Sequence, residues 1–186
     1  MERILIIGSG GAGKSTLARK LGSILNIDVI HLDSLYFKPG WVETPKPQWA
    51  SMVADLLKRD KWIMDGNYGG TLDVRLAHAD TVIFLDLPRY ICLLRIIKRR
   101  FQYRGSTRPD MAIGCNEKAD WEFLKWIWDY PTKSRPSVLE KIEQYLNGKT
   151  TYILRNPTEV SRFLNSVRDH DSDAEITAPT DSGPMI

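Results

Sequence analysis

The feature that most constrains this chain of 186 residues is a glycine-rich segment at residues 8–16, directly after a short apolar run at residues 4–7. The apolar run is typical of a buried parallel strand, and apolar side chains recur at helical spacing after the segment. It matches the pattern G-x-x-x-x-G-K-[ST] and consists of Gly8, Ser9, Gly10, Gly11, Ala12, Gly13, Lys14, Ser15 and Thr16. A strand, this loop and a helix, in that order, predict a site that closes around a phosphate group.

Each residue type in this loop has a physical reason to be there. Glycines adopt positive φ and let the backbone approach a phosphate without a Cβ clash. The N–H groups of the loop and the start of the helix then add positive potential. We expect Lys14 to contact the β and γ phosphates of ATP, and the Ser15 hydroxyl to be a ligand of Mg²⁺. Residues 8–16 are therefore predicted to bind Mg-ATP.

Short apolar runs alternate with helical patterns along the rest of the chain. Further strands are predicted at residues 29–32, 61–64, 81–85 and 151–154, and helices at about 14–25, 47–59, 89–103, 136–147 and 157–167. This order predicts an α/β P-loop NTPase fold, with a five-stranded, mostly parallel sheet flanked by helices. We expect one domain over residues 1–168, with an arginine-rich lid inserted at about 100–135.

Composition and charge exclude several classes of protein. Hydrophobic residues make up 42% and charged residues 26% of the chain, which excludes a wholly disordered or collagen-like protein. Cys92 and Cys115 are far apart and are predicted to be free thiols. The first apolar run is too short for a signal peptide and no run approaches 18 residues, so we expect a cytoplasmic protein without a membrane span. Residues 169–186 contain five acids and no lysine or arginine, and are predicted to form a disordered tail.

Residues 89–108 form a basic segment with no acidic residue. Its seven bases are Arg89, Arg95, Lys98, Arg99, Arg100, Arg104 and Arg108. A charge distribution this one-sided attracts partners that carry phosphate. The alternative is a solvated helix face, on which Arg95 makes a surface salt bridge.

Other conspicuous side chains are predicted to be structural. Trp121, Trp126 and Trp128 could stack on nucleic-acid bases, but their partly helical spacing favours packing of the lid on the body. Asp86, at the end of a predicted strand, is expected to orient the loop that follows. His31, also at a strand end, is expected to be a hydrogen-bonded core histidine.

Several further stretches carry a resemblance to a known family. They are His31-Leu32-Asp33-Ser34-Leu35-Tyr36, Trp62-Ile63-Met64-Asp65-Gly66-Asn67-Tyr68, residues 79–89, Gly114-Cys115-Asn116-Glu117-Lys118 and Trp126-Ile127-Trp128. With the glycine-rich loop, they make the chain similar to the DNA topology modulation proteins, relatives of adenylate kinase, over about residues 1–167. The resemblance implies a P-loop kinase, but it does not specify a substrate, because the family label describes a phenotype.

The resemblance implies roles for the arginines. Adenylate kinase-like enzymes carry an R-x-x-x-R motif at this place, and here it corresponds to Arg95 and Arg99, which share one helix face. One arginine of the motif lies against the nucleotide base and the other on the phosphates. Arg104 and Arg108 stand where the arginines of the lid would be, in a loop that could close over the phosphates.

The resemblance also implies roles for two acids and for a second loop. Asp65 corresponds to an acid that holds a Mg²⁺-bound water, which makes Ser15 and Asp65 the predicted metal site. Asp33 resembles the acid that binds or deprotonates an acceptor hydroxyl. Either acid could instead cap a helix. The adenine is expected between Arg95 and the loop that contains Asn156 and Pro157.

One departure from the adenylate kinase pattern leaves the acceptor open. Adenylate kinases follow the corresponding Asp-Gly with an aromatic residue, a proline and an arginine that clamps the acceptor phosphate. Here Asp65 and Gly66 are followed by Asn67, Tyr68 and two glycines, and Arg75 is the nearest arginine that could reach the same site. The acceptor is therefore predicted to be a nucleoside monophosphate or a small hydroxylated metabolite.

Two functions fit these observations. The first is an ATP-dependent phosphotransferase, in which Lys14, Arg95, Arg99 and a lid arginine neutralise the transferred phosphoryl group. The second is an ATP-binding regulator that affects DNA topology through a nucleic-acid surface on the basic segment. No helix-turn-helix or zinc motif accompanies that segment, so no motif supports binding to nucleic acid. The oligomeric state stays open.

Overall fold

A computed structural model describes residues 1–103, 110–112, 114–115 and 120–177, and of residues 171–177 it describes the backbone alone. These residues form strands β1–β7, helices α1–α8 and one 3-10 turn at Gly69–Thr71. Their order is β1 (Arg3–Gly8), α1 (Lys14–Leu25), β2 (Val29–His31), α2 (Leu32–Tyr36), β3 (Phe37–Lys38), β4 (Val42–Glu43), α3 (Lys46–Leu56), β5 (Trp62–Asp65), α4 (Leu72–His78), β6 (Thr81–Leu85), α5 (Arg89–Gln102), α6 (Trp121–Lys133), α7 (Arg135–Gln144), β7 (Thr150–Leu154) and α8 (Pro157–Thr177). None of the helices in the described ranges is both long and apolar enough to span a membrane.

Five strands form one sheet in the order β2–β5–β1–β6–β7, and every neighbouring pair is parallel. Successive side chains of the central strand β1 point to opposite faces of the sheet, and helices cover both faces. Ile4 and Ile6 pack with α1 and α8, whereas Leu5 and Ile7 pack with α3 and α4. The predicted α/β fold, a five-stranded parallel sheet flanked by helices, is confirmed.

The carboxyl ends of β1, β2 and β5 lie together at one edge of the sheet. Asp65, the last residue of β5, is in register with His31 on β2 and with Ile6 on β1. Strands β1 and β5 are therefore neighbours, as the prediction for Asp65 required. In open parallel sheets, ligands bind in the crevice outside this edge, and the glycine-rich loop after β1 opens onto it.

The structure adds elements that the sequence patterns did not predict. Helix α2, the two-residue strands β3 and β4, and helix α4 are all too short for an apolar period to identify. Helix α6 lies within the predicted lid segment at about 100–135. Helix α8 continues to Thr177, beyond the predicted end near Val167, because residues 168–177 contain neither proline nor glycine. Residues 178–186 of the predicted tail lie outside the described residues.

The prediction that all three lid tryptophans pack on the body is wrong. Trp121 is 77% exposed and Trp128 is 51% exposed, and helix α6 buries Ile127 and Tyr130 instead. Trp126 stacks on Phe123, with the two ring centroids 5.9 Å apart. The buried face of α6 is thus offset from the face that carries Trp121 and Trp128.

Candidate functional site

The loop between β1 and α1 needs its glycines. Gly8 and Gly11 have φ values of 148° and 76°, which side-chain-bearing residues rarely adopt. A Cβ on Gly11 would lie 2.4 Å from the carbonyl oxygen of Cys92, and one on Gly8 would lie 2.5 Å from that of Leu85. Gly13, with φ 101°, is the N-cap of α1. The backbone therefore has the close packing and positive φ angles that the loop pattern predicts.

Lys14 lies within this loop and is bonded to it. Its Nζ donates to the carbonyl oxygens of Gly8 and Ser9, at 2.9 and 3.0 Å. Burial lowers the pKa of the Lys14 ammonium, and the negative charges of Asp33 and Asp65 oppose that shift. The ammonium thus lies near two carboxylates at the edge of the sheet.

Arg95 and Arg99 are brought to the same loop by α5. The Nη1 of Arg95 donates to the carbonyl oxygen of Ala12 at 2.9 Å. The charge of Arg99 contributes to lowering the pKa of Lys14, and both arginines line one cavity together with Lys98. Arg95 therefore contacts the loop rather than a surface acid. The predicted lid residues Arg104 and Arg108 lie outside the described residues.

Ser15, Asp65 and His31 form a hydrogen-bonded chain. The Ser15 Oγ donates to Asp65 Oδ2 at 2.8 Å, and His31 Nδ1 lies 2.5 Å from Asp65 Oδ1. Burial lowers the pKa of His31, but its hydrogen bond to Asp65 and the charge of that carboxylate outweigh the effect and raise the pKa overall. His31 is hydrogen-bonded as expected, and its partner is the predicted metal-site acid.

Ser15 and Asp65 fit the predicted magnesium site. Mg²⁺ binds oxygen ligands and keeps several waters, with one or two carboxylates and the substrate phosphates completing its shell. A hydroxyl and a buried carboxylate lie 2.8 Å apart beside the phosphate loop, and both are ligands of this kind. These two residues could therefore hold the ion together with bound phosphates.

Asp33, in α2, lies near enough to Lys14 for its charge to raise the pKa of that lysine, and it is hydrogen-bonded to Tyr68. The Tyr68 hydroxyl donates to Asp33 Oδ1 at 2.7 Å. Burial and the nearby charge of Asp33 raise the pKa of Tyr68, so the phenol keeps its proton and its role as a donor. Asp33 lies inside α2, whose N-cap is His31, so the alternative that Asp33 is that cap is wrong. Beside this pair, Asn67 Oδ1 accepts a hydrogen bond from the Gly8 N–H at 3.1 Å.

Arg75 does not reach an acceptor phosphate. Its side chain is completely buried, and its nitrogens donate to the carbonyl oxygens of Gly66, Asn67, Tyr68 and Thr71. Arg75 therefore fixes the loop between β5 and α4. The conjecture that it replaces the phosphate-clamping arginine is wrong.

A cavity of about 1010 Å³ opens in front of the loop. One part of its lining, which we name the phosphate wall, consists of Gly10, Gly11, Lys14, Arg95, Lys98 and Arg99. A second part, which we name the aromatic wall, consists of Asp33, Phe37, Trp41, Glu43 and Tyr68. Sequence reasoning missed Phe37, Trp41 and Glu43, which lie on the β3–β4 hairpin. The signal was the dipeptide Pro39-Gly40 between aromatic residues, because Pro-Gly marks a tight turn.

The predicted base-binding residues Asn156 and Pro157 lie outside the lining of this cavity. They begin α8, where Glu159 N–H donates to Asn156 Oδ1 at 2.9 Å and Glu159 Oε2 accepts from the Arg155 N–H at 2.6 Å. Asn156 therefore caps the start of α8, and Glu159 bonds the N–H of the residue before the cap. Both residues thus have a structural role, and their contact with a base stays a prediction.

Asp86 has the structural role that was predicted for it. Both of its carboxylate oxygens accept from the guanidinium of Arg135, at 2.7 and 2.8 Å. This two-bonded pair ties the loop after β6 to the first residue of α7.

Two shikimate kinases are among the solved structures with a similar fold. Shikimate kinase from Acinetobacter baumannii, in complex with shikimate, has a TM-score of 0.53 and 17% sequence identity, covering 95% of this chain and 96% of that chain. Shikimate kinase from Bacteroides thetaiotaomicron has a TM-score of 0.52 and 16% identity, covering 91% of this chain and 97% of that one. Likeness at these identities shows the P-loop kinase fold alone.

Sequence comparison adds one relative. No protein-family model matches the chain. The uncharacterized protein YqaC of Bacillus subtilis (strain 168) is 30% identical over 127 residues, which are 67% of this chain and 70% of that protein. The chain belongs to the same protein family as YqaC.

Proposed function

We propose that the protein is an ATP-dependent phosphotransferase of the nucleotide and small-molecule kinase type, which moves the γ-phosphoryl group of ATP to a hydroxylated acceptor. The observation that carries the proposal is one cavity lined by both the loop cations and Asp33. Transfer from a phosphate donor to a hydroxyl acceptor needs both kinds of group in one site. The P-loop kinase fold agrees with this assignment.

Each group of the phosphate wall has a defined task in this reaction. The loop N–H groups and Lys14 hold the β and γ phosphates, while Arg95 and Arg99 neutralise the charge that spreads over the γ-phosphoryl oxygens. Ser15 and Asp65 hold Mg²⁺, which when bound neutralises phosphate charge. Asp33 accepts the proton of the acceptor hydroxyl.

The basic segment serves this function rather than a separate nucleic-acid surface. Arg95, Lys98 and Arg99 line the cavity, and Arg89 lies over the ring of Trp128 at 4.1 Å. The opposite side of α5 exposes apolar residues, namely Tyr90, Leu94, Ile97 and Phe101. A phosphate-bearing ligand inside the cavity therefore accounts for three of the bases without a bound nucleic acid.

We also infer that the family shared with YqaC falls within the DNA topology modulation proteins. The inference depends on the stretches around Asp33 and Asp65. Both stretches lie at the same sheet edge, where the charges of Asp33 and Asp65 act to raise the pKa of Lys14. Any effect on DNA would then follow from the kinase reaction rather than from direct binding.

The test is acceptor-dependent release of ADP from Mg-ATP. The purified protein is incubated with a panel of nucleosides, nucleoside monophosphates and hydroxylated metabolites. Lys14→Ala should lose turnover and keep its fold, whereas Lys20→Ala, an exposed lysine on the same helix, should keep both. Arg99→Ala should lower kcat by roughly 10³-fold if the residue acts as a transition-state cation. Turnover that persists in Lys14→Ala would refute the assignment of the loop.

A further inference from the structure

The aromatic wall is one connected unit. The ring of Tyr36 lies behind it and contacts Phe37 and Tyr68, with centroid distances of 5.0 and 4.7 Å. The Tyr36 hydroxyl donates to Glu43 at 3.0 Å, and the rings of Phe37 and Trp41 are 5.0 Å apart. The flat rings and the two acids of this wall therefore hold fixed positions relative to one another.

Two aromatic residues of this wall have an unusual backbone. Trp41 has φ 66° and Tyr68 has φ 32°, in the left-handed region that bulky residues avoid. Asn26, the other such non-glycine residue in the described part of the chain, is the C-cap of α1, where asparagine is common. Strain of this kind persists where the surroundings impose it and is concentrated at functional sites. Here both strained aromatics line the same cavity.

The aromatic wall and the phosphate wall have opposite charge. Asp33 and Glu43 are the ionisable acids of the aromatic wall, and its defined set has no lysine or arginine. Arg19 also lines the cavity, but it lies 3.9 Å from Asp110. A carboxylate or phosphate placed beside Asp33 and Glu43 would therefore meet like charge, whereas the triphosphate meets the cations of the phosphate wall.

We propose that the acceptor is an uncharged nucleoside, with its base against Phe37 and Trp41 and a sugar hydroxyl at Asp33. This inference rests on the proposed function and names the substrate class of the same site. Aromatic side chains stack on the flat faces of bases, and carboxylates accept hydrogen bonds from hydroxyl and amino groups. A nucleoside provides both features without a negative charge.

Phosphoryl transfer to a nucleoside forms one bond and breaks another. The sugar hydroxyl oxygen forms a bond to the γ-phosphorus of ATP, and the bond from that phosphorus to the β–γ bridging oxygen breaks. The electron pair of the broken bond leaves with ADP. The hydroxyl proton passes to Asp33, whose Oδ1 is oriented by the Tyr68 hydroxyl.

The experiment compares acceptors in pairs that differ in charge. ADP formation from Mg-ATP is measured with each nucleoside and its 5′-monophosphate, and with neutral sugars and the matching sugar acids. We expect kcat/KM to be at least about 100-fold higher for a nucleoside than for its monophosphate, given the like charge at the aromatic wall. A monophosphate, sugar acid or simple sugar used better than every nucleoside would overturn this inference and leave the kinase assignment standing. If ATP binds but no acceptor increases ADP release, the proposed function itself fails.

A pair of variants tests the position of the base. Trp41→Ala should raise the KM for the nucleoside by about 10-fold or more, because the base loses its stacking on one ring. The KM for ATP should not change. Trp41→Phe should restore much of the affinity. Trp128→Ala, a tryptophan on α6 outside the cavity lining, is the matched control and should change neither constant. If Trp41→Ala does not fold, the proposal is tested with Trp41→Phe and with calorimetric titrations that compare the affinity for a nucleoside with that for its monophosphate. The proposal is overturned by an unchanged nucleoside KM in a folded Trp41→Ala protein. It is also overturned by a preference for the monophosphate.

Discussion

Arg75 offers the sharpest test of how the site is built. If its guanidinium only fixes the loop after β5, replacing it should cost stability rather than substrate affinity. We chose Arg75→Met because methionine fills much of the same volume, which keeps the cavity contribution small. The side chain is completely buried and donates to four backbone carbonyl groups.

The magnitude follows from opposing contributions. A buried carbonyl left without a donor costs about 1–3 kcal/mol, so four carbonyls give roughly 4–12 kcal/mol before relaxation. Removing a buried guanidinium also removes its desolvation penalty of several kcal/mol. Burial lowers the pKa of Arg75, which reflects that penalty. Taking the middle of the first range and subtracting several kcal/mol of recovered desolvation leaves a net loss of about 3–5 kcal/mol, and this is the loss that we expect.

The assay is urea unfolding at pH 7, followed by circular dichroism. A loss of this size corresponds to a decrease in Tm of roughly 6–20 °C for a chain of this length. Arg59→Met, at an exposed position after α3, is the control and should stay within about 0.5 kcal/mol. A loss below about 1 kcal/mol, together with a raised KM for the acceptor, would show that Arg75 faces the substrate and would refute this reasoning.

Two further predictions concern stability. Asp65 raises the pKa of His31, so the stabilisation from this pair is complete below the unfolded pKa of about 6.5 and is lost as the pH rises through the raised folded pKa. His31→Asn should therefore lower the free energy of unfolding by about 1.5–3 kcal/mol at pH 5.5 and by clearly less at pH 9. The same loss at both pH values would refute the charge contribution. Asn156→Ala should cost about 1 kcal/mol in thermal unfolding through the lost cap. An intact Tm with a raised KM for ATP would instead support the predicted contact with the base.

The central part of the site was predictable because it depends on local pattern. The run Ile4–Ile7 and the glycines after it specify a buried strand, a tight loop and a helix, each within a few residues. The meeting of Ser15 and Asp65 required one further assumption, that β1 and β5 are neighbours.

The aromatic wall and the role of Arg75 were not predictable in the same way. Strands β3 and β4 have two residues each, too few to show an alternating pattern. Arginine is among the residues least often buried, so no composition rule places Arg75 in the interior. Its partners are carbonyl groups of an irregular loop, and they come together only when β5 and α4 have packed.

The two walls of the cavity come from separate lengths of chain. The phosphate wall is built by the loop after β1 and by α5, whereas much of the aromatic wall belongs to the short hairpin of β3 and β4. If the hairpin holds the acceptor as we propose, exchange of its sequence would change the substrate range while the phosphate wall stayed as it is. Relatives that share residues 8–16 need not share an acceptor, so a substrate found for one member of this family should be transferred to another only when residues 37–43 also agree.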